Sequence, residues 1–325
     1  MKKFMQRAMI SPFGINNNGS GGGEEWIGDG NTHVWISLNE GRTSPILGCC
    51  PNGTVTVDWG DGSTPDTLSG TSTTSVKWTP RHNYGKGGDY VITLTVDGEM
   101  GFYGNSTSDQ GSAILRYTSS TDKRNNVYKL ALRKLEIGDG VTSIGQYAFY
   151  QCYGLTRVVI PDSVTSIDSS AFSNCVGLTS AVVPNGITSI SAGMFSSCSC
   201  LTSVVIPDSV TSINKNAFAS CSTLTSVVIP DSVTSLGNAA FNGCRRFTSV
   251  VIPGGVTSID ANTFSSCYGM VLYDFTNHAA VPALVDTSAF YSIPSDCEIR
   301  VPAALVDEWK AATNWSTHAS KIVGV

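Results

Sequence analysis

The sequence is poor in charge, in histidine and in long apolar runs. Charged residues make up 14% of the 325 positions and the formal net charge is −5, so no basic surface is available to bind nucleic acid through its phosphates. No run reaches the ~20 apolar residues that a membrane-spanning helix needs, so we expect no insertion into a membrane. The four histidines lie far apart in the chain, at His33, His82, His278 and His318.

Motifs of the common enzyme classes are missing as well. No G-x-S-x-G, H-E-x-x-H, P-loop or G-x-G-x-x-G segment occurs. A catalytic site needs several polar groups that converge in a pocket, and isolated histidines do not supply them. Asp58 and Asp61 could hold a calcium ion with turn carbonyls, or they could cap the turn in which they lie. We favour the turn caps, and we expect no enzymatic activity, no cofactor and no metal site.

The N-terminal segment lacks the apolar core of a secretory signal peptide, which needs roughly 7–15 uninterrupted residues. Gln6 and Arg7 interrupt the apolar stretch, and Pro12 follows soon after. We therefore expect no signal peptide. Residues 1–28 are predicted to be a flexible Gly/Asn-rich tail, because glycine and asparagine dominate its second half.

One interval of 23 residues governs the second half of the chain. Phenylalanine recurs at this interval and cysteine follows three residues later, as Phe149, Phe172, Phe195, Phe218, Phe241 and Phe264 and as Cys152, Cys175, Cys198, Cys221, Cys244 and Cys267. Only a stacked repeat structure requires one residue type at a constant interval over so long a segment. We predict six repeats over residues 135–275.

Each repeat contains two short strand-like pieces, as in LTSVVIPDSVTSINKNAFASC at 201–221. Pro207-Asp208 separates the pieces, since proline fixes φ and cannot extend a ladder. The predicted inward residues of this unit are Leu201, Val204, Ile206, Val210, Ile213, Phe218 and Cys221. The unit resembles the BspA-type (Treponema-type) leucine-rich repeat, L-x-x-V/I-x-I-P followed by V-x-x-I and A-F-x-x-C. Departures from that pattern are Met194, Phe247, Met270 and Gly254-Gly255.

The resemblance implies a right-handed leucine-rich-repeat solenoid. It also implies a bacterial surface protein, adhesin-like or ligand-binding. Ten cysteines occur, but none belongs to paired C-x-x-C motifs, so we interpret the six regularly spaced ones as small buried hydrophobes rather than zinc ligands or disulfides. Unpaired thiols are typical of a reducing or anaerobic setting.

Residues 29–99 contain short alternating strands, VWISL (34–38), TVTVDW (54–59), SVKW (75–78) and YVITLTV (90–96). The phrase VDWGDGS at 57–63, followed by HNYGKGGDY at 82–90, resembles the polycystic-kidney-disease (PKD) domain. That resemblance implies an immunoglobulin-like β-sandwich in which His82 is structural. The matching positions are Trp59, Gly60, Asp61, Gly62, His82, Tyr84, Gly88 and Tyr90.

Capping segments are predicted on both sides of the repeats, because a stack of strands otherwise ends in unpaired edges. Residues 100–134 are assigned to the N-terminal cap. Residues 276–325 are assigned to the C-terminal cap, with a helix over 302–315 that places Leu305, Trp309 and Ala312 on one face.

A candidate binding surface follows from strand alternation. If Val204 points inward, its neighbours Ser203 and Val205 point outward. Strands ~4.8 Å apart would line up the outward valines into an apolar stripe. The candidate residues are Arg157, Val159, Val182, Ser203, Val205, Ser226, Val228, Ser249 and Val251, with Ser180 in the serine row. The alternatives are that valine simply favours β-structure, or that another segment or copy covers the row.

We therefore expect a non-catalytic recognition protein that binds a protein or glycan, at the cell surface or outside the cell. A phage or prophage appendage that binds a host receptor is an alternative, because virion proteins leave by lysis without a signal peptide. A structural spacer or an accessory carbohydrate-binding module is a further alternative. The module would require exposed aromatic residues, and the outward rows named above contain none.

Overall fold

The computed structural model describes residues 27–38, 50–71, 82–102 and 131–325. Predictions that concern residues 1–26, the strand at 75–78, Cys49 and most of the N-terminal cap lie outside these residues. Within them the protein is mainly β-structure with few helices, and most of its strands run parallel to their neighbours.

Four strands form an antiparallel N-terminal sheet in the order β1-β4-β2-β3. They are β1 (Thr32–Leu38), β2 (Cys50–Asp58), β3 (Asp66–Thr71) and β4 (Gly88–Phe102). Apolar and polar residues alternate along them, so one face is buried, and Val34, Val57 and Leu94 have no exposed surface. Within residues 27–38, 50–71 and 82–102 these strands make one sheet, and the sandwich stays a prediction.

The repeats build two parallel ribbons, one from each strand-like piece. The first ribbon contains β5 (Leu132–Glu136), β7 (Arg157–Val159), β9 (Ser180–Val182), β11 (Ser203–Val205), β14 (Ser249–Val251), β16 (Leu272–Asp274), β18 (Glu298–Val301) and β19 (Ile322–Gly324). The second contains β6 (Val141–Ile144), β8 (Ser166–Ile167), β10 (Ser189–Ile190), β12 (Ser212–Ile213), β13 (Ser235–Leu236), β15 (Ser258–Ile259) and β17 (Ala283–Leu284). Within the six repeats paired strands follow the 23-residue interval, as in Ser180 opposite Ser203, but the pairing is interrupted between β11 and β14 in the first ribbon and between β8 and β10 in the second.

The phenylalanines form one stack through the centre of the solenoid. Neighbouring rings are nearly parallel, with centroids 5.7 Å apart for Phe195 and Phe218, and all six are fully buried. The stack continues at both ends, to Phe102, whose ring is tilted against Phe149 at 5.4 Å, and to Phe290, which stacks on Phe264 at 5.8 Å. Phe290 follows Phe264 by 26 residues, so the 23-residue interval in the sequence does not predict that it belongs to the stack.

The six repeat cysteines are free thiols in the core, as predicted. Five of them donate a hydrogen bond to the phenylalanine carbonyl 26 residues earlier, with sulfur–oxygen distances of 3.1 Å for Cys175 and 3.4 Å for Cys267 at the two ends of the series. Burial raises the pKa of the Cys221 and Cys267 thiols to about 12. These five cysteines thus fill core volume and also add a second hydrogen bond to a carbonyl of the preceding repeat, which a backbone N–H already contacts.

The N-terminal sheet continues directly into the solenoid. β1 pairs antiparallel with β5, and the end of β4 pairs in parallel with β6, through Met100 opposite Val141 and Phe102 opposite Ile144. The first ribbon thus gains a partner strand from the segment assigned to the sandwich, and the second gains one from Met100–Phe102, which belong to the segment assigned to the N-terminal cap. Residues 100–102 thus contribute to the capping role that the sequence assigns to residues 100–134, and β1 adds the strand pairing of the first ribbon.

The C-terminal cap contains a shorter helix than the sequence predicts. The α-helix α1 spans Val306–Ala311, preceded by a 3-10 turn at Ala303–Leu305 and followed by another at Trp315–Lys321. Asn314, with φ of 64°, interrupts the helical path before residue 315. The predicted inner face is nevertheless used, since Trp309 is buried and Leu305 and Ala312 pack against the core. No helix in the described part of the chain has the length and hydropathy to cross a membrane.

Candidate binding face of the solenoid

The outer face of the first ribbon carries the residues that alternation predicts. Their inward neighbours Val158, Ala181, Val204, Val227 and Val250 are all at most 8% exposed. Pairing of β11 with β9 sets Ser203 beside Ser180 and Val205 beside Val182, which aligns the serine and valine rows across strands.

The valine row is accessible along its length. Val182, Val228 and Val251 are 39%, 55% and 41% exposed, and Val159 and Val205 are half-buried. Arg157 and the serines at 203, 226 and 249 are exposed. The structure thus places the candidate residues on the outer face of the first ribbon, where Ser226 and Val228 lie in the repeat between β11 and β14 and outside its strands.

Charged residues flank the valine row at both ends. At the C-terminal end, Val251 pairs with Asp274, which pairs with Arg300, and the Arg300 guanidinium contacts the Glu298 carboxylate at 2.9 Å. At the N-terminal end, Val159 pairs with Glu136. The Glu136 carboxylate accepts hydrogen bonds from the backbone N–H groups of residues 27 and 28, at 3.0 and 2.9 Å. The uncharged part of the face therefore ends at charged residues on both sides, at Glu136 and at Asp274.

An aromatic residue joins this face, contrary to the expectation from the outward rows alone. Arg157 pairs with Lys134 on β5, and Lys134 pairs with Trp35 on β1, so the serine row continues to an indole. The Lys134 ammonium lies over the Trp35 ring, 4.1 Å from its centroid. Alternation along VWISL predicts that Trp35 lies on the face of β1 opposite to the buried Val34. The sequence does not predict that β1 pairs with β5, and that pairing is what places Trp35 next to the solenoid.

A cavity of about 440 Å³ opens beside Trp35. It is lined by Trp35, Ile36, Ser37, Asp89, Tyr90, Val91 and Arg133. β1 and β4 supply all of these residues except Arg133, which comes from a bulge in β5: Trp35 pairs with Lys134, Ile36 pairs with Leu132, and Arg133 is the extra residue between them.

The Asp-Gly turn after β2 is held by side chains that act as caps. Asp58 accepts the N–H of Gly60 at 2.9 Å, and Asp61 accepts that of Ser63 at 3.0 Å. His82 Nε2 lies 2.8 Å from Asp61 Oδ2. Hydrogen bonds from Ser63 and then from His82 lower the pKa of Asp61 to about 2.

Both carboxylates thus already have partners in the turn. Among the residues that the structure describes, no group of three or more His, Cys, Asp or Glu side chains is placed to hold a metal ion.

The 23-residue units match a known repeat. The family described as "BspA type Leucine rich repeat region (6 copies)" matches residues 123–245 and 194–306, which together cover more than half of the chain. The chain belongs to the BspA-type leucine-rich-repeat family. The two overlapping matches span all six repeats and extend over β16, Phe290 and β18, so this BspA-type region continues past the point where the 23-residue interval ends.

Several solved leucine-rich-repeat structures are similar to this BspA-type chain. A T. pallidum leucine-rich-repeat protein is 29% identical over 50% of this chain and 78% of its own, with a TM-score of 0.46. A Bacteroides ovatus leucine-rich-repeat protein is 22% identical over 76% of this chain and 59% of its own, with a TM-score of 0.48. A leucine-rich cell surface protein of Faecalibacterium prausnitzii is 23% identical over 65% of this chain and 84% of its own, with a TM-score of 0.35. No curated protein matches the chain.

Proposed function

We propose that this BspA-type protein is a non-catalytic, adhesin-like recognition protein that binds a protein or glycan through the outer face of the first ribbon. The observation that carries the proposal is the exposed valine row, in which Val228 is 55% exposed. A contiguous apolar row flanked by small hydroxyl groups offers a partner surface that can be buried at no cost in charge desolvation.

The charge pattern supports the same proposal. Between Val159 and Val251 the two outward rows carry only hydroxyl and aliphatic side chains, with Arg157 at one end. Phosphate binding needs several cationic groups in a row, so nucleic acid is a poor partner for this face. A neutral apolar row instead suits a protein surface or the apolar face of a glycan.

The test replaces Val205 and Val228 together by Lys. The matched control, Ser212→Lys with Ser235→Lys, adds the same charge to the second ribbon of the same two repeats. Binding to immobilised mucin, matrix glycoproteins and epithelial cells is measured with the unaltered chain and both variants. We expect at least a tenfold loss of affinity in the valine variant, none in the control, and similar melting temperatures in all three.

Unchanged affinity in the valine variant would remove this row as the binding surface. Turnover of a substrate that vanishes with a single-residue change would contradict a non-catalytic role.

A location at the bacterial surface is part of this proposal, supported by membership of the BspA-type family. Mass spectrometry of three fractions of the source culture tests it: protease-shaved cell surface, cytoplasm, and particles released after prophage induction. Enrichment on shaved cells would support the adhesin. Enrichment in particles would favour a phage appendage that binds a host receptor, and presence in the cytoplasm alone would contradict both.

We further propose that residues 29–99 form a PKD-like module that serves as spacer or accessory binding unit. The buried face of the β1-β4-β2-β3 sheet supports this, since a second layer produces such burial. The signature residues also interlock: Tyr84 Oη donates to the Trp59 carbonyl at 2.9 Å, and His82 stacks on Trp59 at 4.9 Å. A crystal structure of the full chain tests the proposal, because a single-layered sheet there would contradict it.

A further inference from the structure

We propose that the cavity beside Trp35 is a subsite for an acidic saccharide, a sugar ring that carries a carboxylate. The inference rests on the proposed recognition function and names a ligand class for the N-terminal end of the same face. Its volume of about 440 Å³ lies within the ~300–1,000 Å³ of typical small-molecule sites.

The indole supplies the platform. Trp35 is partly exposed and lines the cavity, and its ring is steadied by the Lys134 ammonium 4.1 Å from the ring centroid. Its β4 neighbour Val91 lines the same cavity, so the wall beside the indole is apolar. One side of a pyranose ring presents an apolar surface of C–H groups. The flat face of an indole that is held in one orientation can stack against that surface.

Polar groups converge on the same cavity. Asp89 pairs with Ser37 across β4 and β1, so a carboxylate and a hydroxyl stand side by side on the outer face. Together they can accept and donate hydrogen bonds to vicinal sugar hydroxyls. This combination of an aromatic wall with a few placed polar groups distinguishes the cavity from the valine row, which has no charged group between its ends.

The preference for an acidic sugar comes from the β5 bulge. A bulge turns the extra residue out of the ladder and re-aims its side chain, and here that residue is Arg133, exposed and lining the cavity. A guanidinium matches a carboxylate with two parallel hydrogen bonds. Arg157 is exposed on the next strand of the ribbon, whereas Lys134 between them is buried with its ammonium against the indole, so Arg133 is the cation that lines the cavity.

Calorimetric titration of the full chain with matched sugars tests the subsite. The probes are trigalacturonate and 3′-sialyllactose, and the controls are methyl-esterified trigalacturonate and lactose, which keep the rings but lose the charge. We expect both acids to bind the unaltered chain at least fivefold more tightly than their neutral counterparts.

Two variants assign the contacts. Trp35→Ala should weaken both acids at least tenfold. Arg133→Gln changes an exposed side chain and should leave the melting temperature unchanged, while it brings the affinity of trigalacturonate down to that of its methyl ester. The Val205→Lys, Val228→Lys chain should bind trigalacturonate as the unaltered chain does.

The outcomes separate this subsite from the proposed function. Acid binding that is lost in Arg133→Gln supports the subsite, even if the valine variant retains all binding to mucin or cells. Absence of binding by both acids, or equal binding of acid and ester, overturns it and leaves the valine row to its own test. Binding of the peptide acetyl-(Glu)3-amide without either saccharide also overturns it.

Discussion

The thiol of Cys221 donates a hydrogen bond to the backbone carbonyl of Phe195, 3.2 Å away in the preceding repeat. The same bond recurs between other neighbouring repeats, so cysteine at this position links each repeat to the one before it. The Phe195 carbonyl also accepts the Cys198 N–H at 3.2 Å, so the thiol supplies a second hydrogen bond, which neither alanine nor valine could donate.

Replacement of Cys221 by Ala should therefore lower the free energy of unfolding by about 1–2 kcal/mol, because the Phe195 carbonyl loses one of its two hydrogen bonds, keeping the one from the Cys198 N–H, and a small void remains. Urea denaturation followed by circular dichroism measures the change. Cys200→Ala is the control, since Cys200 is exposed and lies outside the regular series. Equal stability of the Cys221 variant and the unaltered chain would show that the hydrogen bond contributes nothing measurable.

Thiol reactivity should differ sharply between the two kinds of cysteine. Burial raises the pKa of Cys221 to about 12 and also shields it from reagents, whereas Cys200 is exposed. Brief iodoacetamide treatment at pH 8, followed by peptide mapping, should therefore modify Cys200 in the native protein and Cys221 only after denaturation. Comparable modification of both in the native state would contradict the buried position of the repeat thiols.

A gain in stability is expected at Ala239. This residue has φ of 56°, and the corresponding residues of the neighbouring repeats, Asn216 and Asn262, have φ of 57° and 58°. A left-handed conformation costs alanine roughly 1 kcal/mol, and asparagine tolerates it better. Ala239→Asn should raise the free energy of unfolding by about 0.5–1 kcal/mol, and Asn216→Ala should lower it by a similar amount. Changes of the same sign in the two variants would contradict this account.

Stability should fall as the pH drops from 7 to 5.5, because two histidines are packed into the C-terminal cap. Burial lowers the pKa of both His278 and His318 below the ordinary value of 6.5. In the unfolded chain each histidine binds a proton near pH 6.5, whereas in the folded chain protonation requires a lower pH. As the pH falls, the unfolded state therefore binds protons before the folded state does, and the free energy of unfolding decreases. Above that pH the two states hold the same protons at these sites.

The melting temperature at pH 7.5 and 5.5 measures this effect, with His278→Met as the variant that removes one of the two groups. We expect a smaller drop in the variant. The carboxyl group of Asp61, whose pKa is about 2, responds only at lower pH and does not contribute in this window. A pH dependence that is identical in the variant would exclude His278 as a source.

The sequence alone determined the repeat, because each unit must place the same side chains against its neighbours. Each phenylalanine stacks on the next one, with ring centroids 5.0–5.8 Å apart, so phenylalanine must recur at a constant interval. Cysteine recurs for the same reason, because its thiol donates a hydrogen bond to a carbonyl of the previous repeat. Alternation likewise predicted which valines face outward, since it depends only on the geometry of a strand. These features are local or strictly periodic.

Only the tertiary structure decided how the ends of the solenoid are closed. The pairing of β1 with β5 and of β4 with β6 joins residues about 40 to 100 positions apart that share no periodic mark. That pairing brings Trp35, Asp89 and Arg133 around one cavity. The structure also shows that Phe290 joins the phenylalanine stack, although it follows Phe264 by 26 residues instead of 23. Strand pairing between distant segments depends on which edges remain open after folding, and a linear pattern does not encode it.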